Sequence, residues 1–340
     1  MLPGRWRTQT TMTKSTDREI ETGGLGMLIM GEVHTGMLHN STAVSPDAAS
    51  RLLALVEGAP VRRVDRPVAC AISPDTVTGV DCELPGTTGA KARGVGTIIS
   101  RVVVTGGRVV QGSAFVEIRP GVAGRRLPWF HYLARPGVVE LLSKAETEHL
   151  AAGFLGADPT RPELLDLGGI GGRAMDGVQT SSALDHRPVL KSSRTCLRWT
   201  VETVTKARSI SLTIHGDRLR TVRLRVPQLE VSAAAGLCED LALHDWLLTT
   251  LLTQVAWARV GSGPRSEVVE RLRPAIENLF HLWMPAARVD TQLTDLWAAL
   301  DSQPGGLTRQ WQTTVDRIRD QVALAVAEVA HRASAATDRR

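Results

Sequence analysis

The chain has 340 residues, 43% of them hydrophobic, and a formal charge of +5. That length and apolar content support a sizeable core, in two domains or one elaborated one, and exclude a chain too polar to fold. The four cysteines, Cys70, Cys82, Cys196 and Cys238, form no C-x-x-C pair and no disulfide framework, so free thiols and a cytoplasmic setting are expected.

Residues 1–26 are polar and rich in Gly, Thr and Ser, without the apolar run of a secretory signal, and read as a disordered tail. Residues 27–126 read as a β-rich N-terminal domain. Strands are expected at Leu28–Leu38, Thr97–Thr105 and Arg108–Ile118. Gly106-Gly107 joins the last two, a two-residue hairpin signal because both glycines tolerate positive φ. A helix interrupts them, with Ser45 as cap, Pro46 in the first turn, Leu52, Leu53 and Val56 as its stripe and Gly58 as its stop.

Residues 127–226 form a mixed segment. Val138–Phe154 is helix-like by periodicity, and a second helix follows Asp166. The period then falls to two: Leu197, Trp199 and Val201, then Ile210, Leu212 and Ile214, then Val222, Leu224 and Val226 alternate with polar residues. This is the pattern of a three-stranded antiparallel meander with one buried face. Because the second and third sets both fall on even numbers, they meet on one face only across an odd-length loop around Gly216-Asp217.

Residues 227–333 read as a C-terminal helical bundle, which makes the fold class α+β. The first helix runs to about Val260. Pro264 opens a second, which Pro274 should kink or divide, and a short third follows Asp290. The last begins near Thr308 and repeats Trp311, Val315, Ile318, Val322, Ala325 and Val329 at steps of four and three, a bundle or coiled-coil seam. Five of the eight tryptophans lie in this third, read as core packing ahead of a partner groove. His244, Asp245 and Gln254 interrupt the longest apolar region, so no membrane span is expected.

Five constellations bear on chemistry. Residues 191–226 hold nine Lys/Arg against Glu202 and Asp217, and a nucleic-acid-binding module would use Arg198, Arg223 and Arg225 on that face. Only five of the 40 basic residues are lysine, an arginine bias that GC-rich coding produces without a ligand, so a solvated sheet face is preferred. GGIGGRA at 168–174 contains G-x-G-x-x-A but lacks the βαβ unit and the later acidic residue of a dinucleotide site; it reads as a helix start capped by Asp166. GTTGAK at 86–91 lacks P-loop spacing.

Glu32 and His34 stand two apart on one strand face and could place two metal ligands, with His39 and Asp81-Cys82 as further candidates. No C-x-x-C or H-E-x-x-H pair supports them, and structural polar groups are preferred. In CEDLALHDWLLTTLL, Asp240 and His244 stand four apart at the edge of the stripe Leu237, Leu241, Leu248, Leu251, Leu252 and Val255. They read as a polar contact joining helices, since no nucleophile accompanies them. No catalytic, cofactor-binding or metal residue is assigned, and no cofactor is expected. Asp240, His244, Glu32 and His34 are the functional candidates.

Long blocks in order, GEVHTGMLHNS at 31–41, RPVACAISPDTVTGVDCELP at 66–85, RGVGTI at 93–98, TGGRVVQGSA at 105–114, HYLARPG at 131–137, CEDLALHDWLLTTLL at 238–252, HLWMP at 281–285 and TRQW at 308–311, resemble an uncharacterised actinobacterial family designated by a Streptomyces locus tag. The resemblance covers residues 28 to 330. Genes of that family tend to lie beside those of a variant P-loop protein, so the resemblance implies an operon partner and no activity. The expected function is a non-catalytic cytosolic interaction or accessory subunit of a multi-gene bacterial system; the nucleic-acid-binding module is the alternative.

Overall fold

Alternating apolar residues from both halves of the chain meet in one ten-stranded mixed sheet. The structure, a computed structural model, describes residues 27–337 except 88–91, 122–124, 144, 158–162, 206–207, 228, 263 and 304. The expected tail at 1–26 and most of GTTGAK therefore lie outside the described residues.

The strands are β1 (Leu28–Met37), β2 (Arg62–Val64), β3 (Cys70–Ile72), β4 (Thr76–Leu84), β5 (Ala92–Thr105), β6 (Val109–Pro120), β7 (Val138–Leu141), β8 (Thr195–Thr203), β9 (Ser209–His215) and β10 (Leu219–Val226). Their order is β2-β3-β5-β7-β6-β1-β8-β10-β9, with β4 also paired to β5. The helices are α1 (Pro46–Leu52), α2 (Trp129–Leu133), α3 (Thr147–Gly156), α4 (Leu167–Gln179), α5 (Val231–Ala258), α6 (Arg265–Leu279), α7 (Thr294–Asp301) and α8 (Leu307–Thr337).

β1 is the central reference strand, buried on both faces as strands covered by helices on each side are. Its odd residues Ile29, Val33 and Met37 join Trp199 and Leu224 in a core closed by Leu241 and Leu248 of α5 and by residues of α6, α7 and α8. Its even residues Leu28 and Met30 join Ile118 and Leu141 in a second core closed by Phe154 of α3 and by Leu167 and Ile170 of α4. The molecule is thus layered, with α3 and α4 on one face of the sheet and the C-terminal helices on the other.

Several expectations change at this level. The meander is not one: β8 pairs with β10 in parallel, and among the described residues β9 pairs with β10 alone. The better buried strand, β10, takes the internal position, while half-exposed β9 takes the edge. The odd-length loop is present as Gly216-Asp217-Arg218, with Leu219 opposite His215. Gly106 and Gly107 both have positive φ, but pairing resumes at Thr105 opposite Val109, so that connection has three residues, not two.

Val138–Phe154 is not one helix. Its first residues form β7, which wedges between β5 and β6 where they splay, and the helix starts only at Thr147. The helix capped by Ser45 stops at Leu52, short of Gly58. Pro274 sits inside an undivided α6, where its carbonyl accepts from Asn278 Nδ2 at 2.7 Å. The expected regions 27–126 and 127–226 share the sheet, because β1 bonds to β6 on one side and β8 on the other. Residues 227–333 lie against it: α5 packs on β1, β6 and β8, and α6 and α8 pack on α5.

Candidate functional site

The antiparallel register of β1 and β8 sets Glu32 opposite Arg198 and His34 opposite Cys196. Side chains of directly paired residues project to the same face, so four polar groups converge on the α4 side of the sheet. Glu32 Oε2 accepts from Arg198 Nε at 3.0 Å, and Oε1 accepts from the Cys196 thiol at 2.9 Å. His34 Nε2 lies 3.5 Å from the same Oε1. Arg198 Nη1 donates to the carbonyls of Phe154 at 3.1 Å and Ala157 at 2.9 Å, at the end of α3, and its guanidinium lies over the Phe154 ring.

Burial pushes the Glu32 carboxyl up. The hydrogen bond with His34, the Arg198 charge and the Cys196 thiol outweigh it and hold the group down to about 2. The Cys196 thiol is raised well above 9.0, first by burial and then by the neighbouring Glu32 charge.

The glycine-rich segment at 168–174 explains how this cluster is covered. A Cβ on Gly168 would lie 2.3 Å from Glu32 Oε1 and 3.2 Å from His34 Nε2, and a Cβ on Gly112 would lie 2.2 Å from the Gly171 carbonyl oxygen. The glycines let α4 sit directly on the sheet, and Asp166 caps it by accepting from the Gly169 N–H at 2.6 Å.

Asp240 and His244 also meet, on the opposite face of the sheet. His244 Nδ1 donates to the Asp240 carbonyl at 2.7 Å, and Nε2 accepts from the Met284 N–H at 3.2 Å, which fixes a neutral ring. The carboxylate lies 3.5 Å from Nδ1 and accepts from the Ala286 N–H at 2.9 Å. Trp283 and Trp297 meet the ring edge-to-face. Burial lowers the His244 pKa, with the Asp240 charge pulling the other way. The pair therefore fastens α5 to the turn after α6. It brings no nucleophile.

The remaining candidates disperse. Asp81 takes Arg93 at 2.8 Å and Arg126 at 3.2 Å, Cys82 packs against the second core, and the His39 N–H bonds Gln179 Oε1. The arginines of the alternative basic face, Arg198, Arg223 and Arg225, each have a carboxylate partner. Arg198 is 4% exposed, Arg223 pairs with Glu202 and Glu148, and Arg225 pairs with Glu148 at 3.0 Å. All three guanidinium groups thus have carboxylate partners within the chain; Arg198 is buried, while the side chains of Arg223 and Arg225 are 26% and 39% exposed.

Among the described residues, α2 exposes Trp129, Phe130 and Leu133, and α8 presents a longer apolar strip. Along the α8 seam Trp311, Val315 and Ile318 are buried, Val322 and Ala325 are half-buried and Val329 is 63% exposed, beside Val326 at 64%. Val269 of α6 faces Val322, Ala325 and Val329 across a groove of about 940 Å³. The heptad rhythm was legible in the sequence; that its burial fades beyond Ile318 was not. Cys196 was missed because it lies 164 residues from Glu32 in the chain, and only strand register joins them. Comparison of the chain with protein-family models, with curated proteins and with solved structures finds no match.

Proposed function

We propose that the chain is a non-catalytic accessory subunit that takes an amphipathic helix of a second protein into the groove between α6 and α8. The observation that carries this reading is the α8 seam, whose four-and-three spacing continues past Ile318 onto residues that become progressively exposed along the groove beside α6, from half-buried Val322 to Val329 at 63%. Glu270 and Gln321 edge the apolar floor. An apolar strip with a polar edge is what a helix-in-groove partner reads. The first candidate partner is the variant P-loop protein that the gene neighbourhood of the resembling family implies. The engagement of Arg198, Arg223 and Arg225 by carboxylates weighs against the nucleic-acid alternative.

The test is calorimetric titration of the purified chain with the purified gene-neighbour protein. Val326→Glu together with Val329→Glu should weaken binding by at least tenfold while the melting temperature stays unchanged. Undiminished binding by that variant, or a chain that pairs with its own copy through this groove in solution, overturns the reading.

A further inference from the structure

We propose that Glu32, His34 and Cys196 form a binding site for one divalent transition-metal ion of the zinc type, with water as the fourth ligand. The inference is independent of the groove.

Three observations carry it. The first is convergence: one ligand atom from each of the three residues lies within 4.8 Å of the others. In a tetrahedral zinc site with ordinary bond lengths, neighbouring ligand atoms stand about 3.3 to 3.6 Å apart. The His34 to Glu32 separation, 3.5 Å, is already of that size. The Cys196 to Glu32 separation, 2.9 Å, has to open by about 0.7 Å, because the longer zinc–sulfur bond puts sulfur and oxygen at the wide end of that range.

The second observation is donor chemistry. A thiolate, an imidazole and a carboxylate form a mixed soft and borderline set that suits zinc and its neighbours and is poor for magnesium or calcium. Arg198 holds the other carboxylate oxygen, which turns Oε1 toward His34 and Cys196, the orienting role that outer partners play at metal sites.

The third is space. The missing Cβ of Gly168 leaves a cradle directly beside Glu32 Oε1 and His34 Nε2, at 2.3 and 3.2 Å. The His34 side chain is 20% exposed against 7% for Glu32, so the imidazole marks the solvent side by which an ion would enter.

Charge decides which group is indispensable. Arg198 and the first turn of α4 both place positive charge near the site, so one carboxylate alone would hold a dication poorly. Binding therefore requires that the Cys196 S–H bond break, with the proton passing to water as the sulfur–metal bond forms. The same thiol donates to Glu32 Oε1 at 2.9 Å, so the sulfur already points at the carboxylate oxygen that would share the ion.

The experiment uses the full chain, purified without chelator and without a histidine tag, refilled with zinc and desalted. Elemental analysis should find about one zinc per chain in the native protein, and below about 0.1 in Cys196→Ser and in Gly168→Ala, whose added methyl fills the cradle. Circular dichroism and the melting curve check that each variant is folded. Titration of the metal-free native protein with cobalt(II) should produce a near-ultraviolet thiolate-to-cobalt charge-transfer band. That readout needs no variant. Absence of the band, absence of stoichiometric zinc, or full zinc retention in folded Cys196→Ser overturns the proposal.

Discussion

His244 has both ring nitrogens committed, one donating to the Asp240 carbonyl and one accepting from the Met284 N–H, so a second proton would displace a backbone donor. Burial is the main reason that its pKa stands below the ordinary 6.5. A depressed folded pKa means that the unfolded chain takes up the proton first as pH falls through 6.5. The stability linked to His244 is complete above that pH and drains away below it. The melting temperature should therefore drop between about pH 7.5 and about pH 5.5, and drop less in His244→Gln. Some dependence should survive in that variant, since burial also lowers His281. Its partner gives a second expectation. Asp240→Ala strands the Ala286 N–H and His244→Ala the Met284 N–H, so each should lose about 1 to 3 kcal/mol in urea unfolding. Both changes release the same turn, so the double variant should lose less than the sum. Strict additivity would show that the two residues act separately.

At the scale of elements, α4 offers a sharp pair of outcomes. Gly112→Ala drives a methyl to 2.2 Å from the Gly171 carbonyl and should cost about 1 to 3 kcal/mol as helix and sheet are forced apart. Gly177→Ala, on the same helix with nothing within 4 Å, should raise stability by about 0.5 to 1 kcal/mol through helix propensity alone. Thermal melts of the two variants should move in opposite directions. The elements that sequence reading found are those whose signals are local: the Asp166 cap, the apolar stripe of α5, the heptads of α8, the alternation in β8 and β10. β7 was hidden because Val138–Leu141 runs straight into the periodic residues of α3, and its strand state comes from filling the gap between β5 and β6. The parallel pairing of β8 with β10 was hidden for a related reason. Parity of apolar positions tells which residues share a face and says nothing about which strand takes the inside place. Glu32 and His34 were visible as neighbours in the chain, but Cys196 and Arg198 reach them only through register.

For the whole molecule, one core spans β1, β8, β10 and all the C-terminal helices except the exposed end of α8. Ending the chain after Val226 would uncover Trp199, Val33 and Leu224 together. The truncated protein should bind a hydrophobic dye and show no cooperative melt, and a sharp transition would establish an independent N-terminal unit. All four cysteines are free, so thiol titration in denaturant without reductant should count four; two or none would overturn that state. No helix among the described residues is long and apolar enough to cross a membrane.

The buried acids of α5 carry a last consequence. Leu237, Leu243, Leu247 and Leu248 are each followed four residues later by another leucine, so sliding the helix one turn along the sheet, about 5.4 Å, would lay leucine where leucine was. At these four positions hydrophobic packing scarcely distinguishes the two placements. The charges do: Glu239 reaches Arg101 on β5 at 2.7 Å and Asp245 reaches Arg220 on β10 at 2.8 Å. One slip would break both ion pairs at once and strand four charges away from water, each at a cost of several kcal/mol. The leucines hold α5 to the sheet, and two arginines on strands far apart in the sheet select the single alignment in which it can rest.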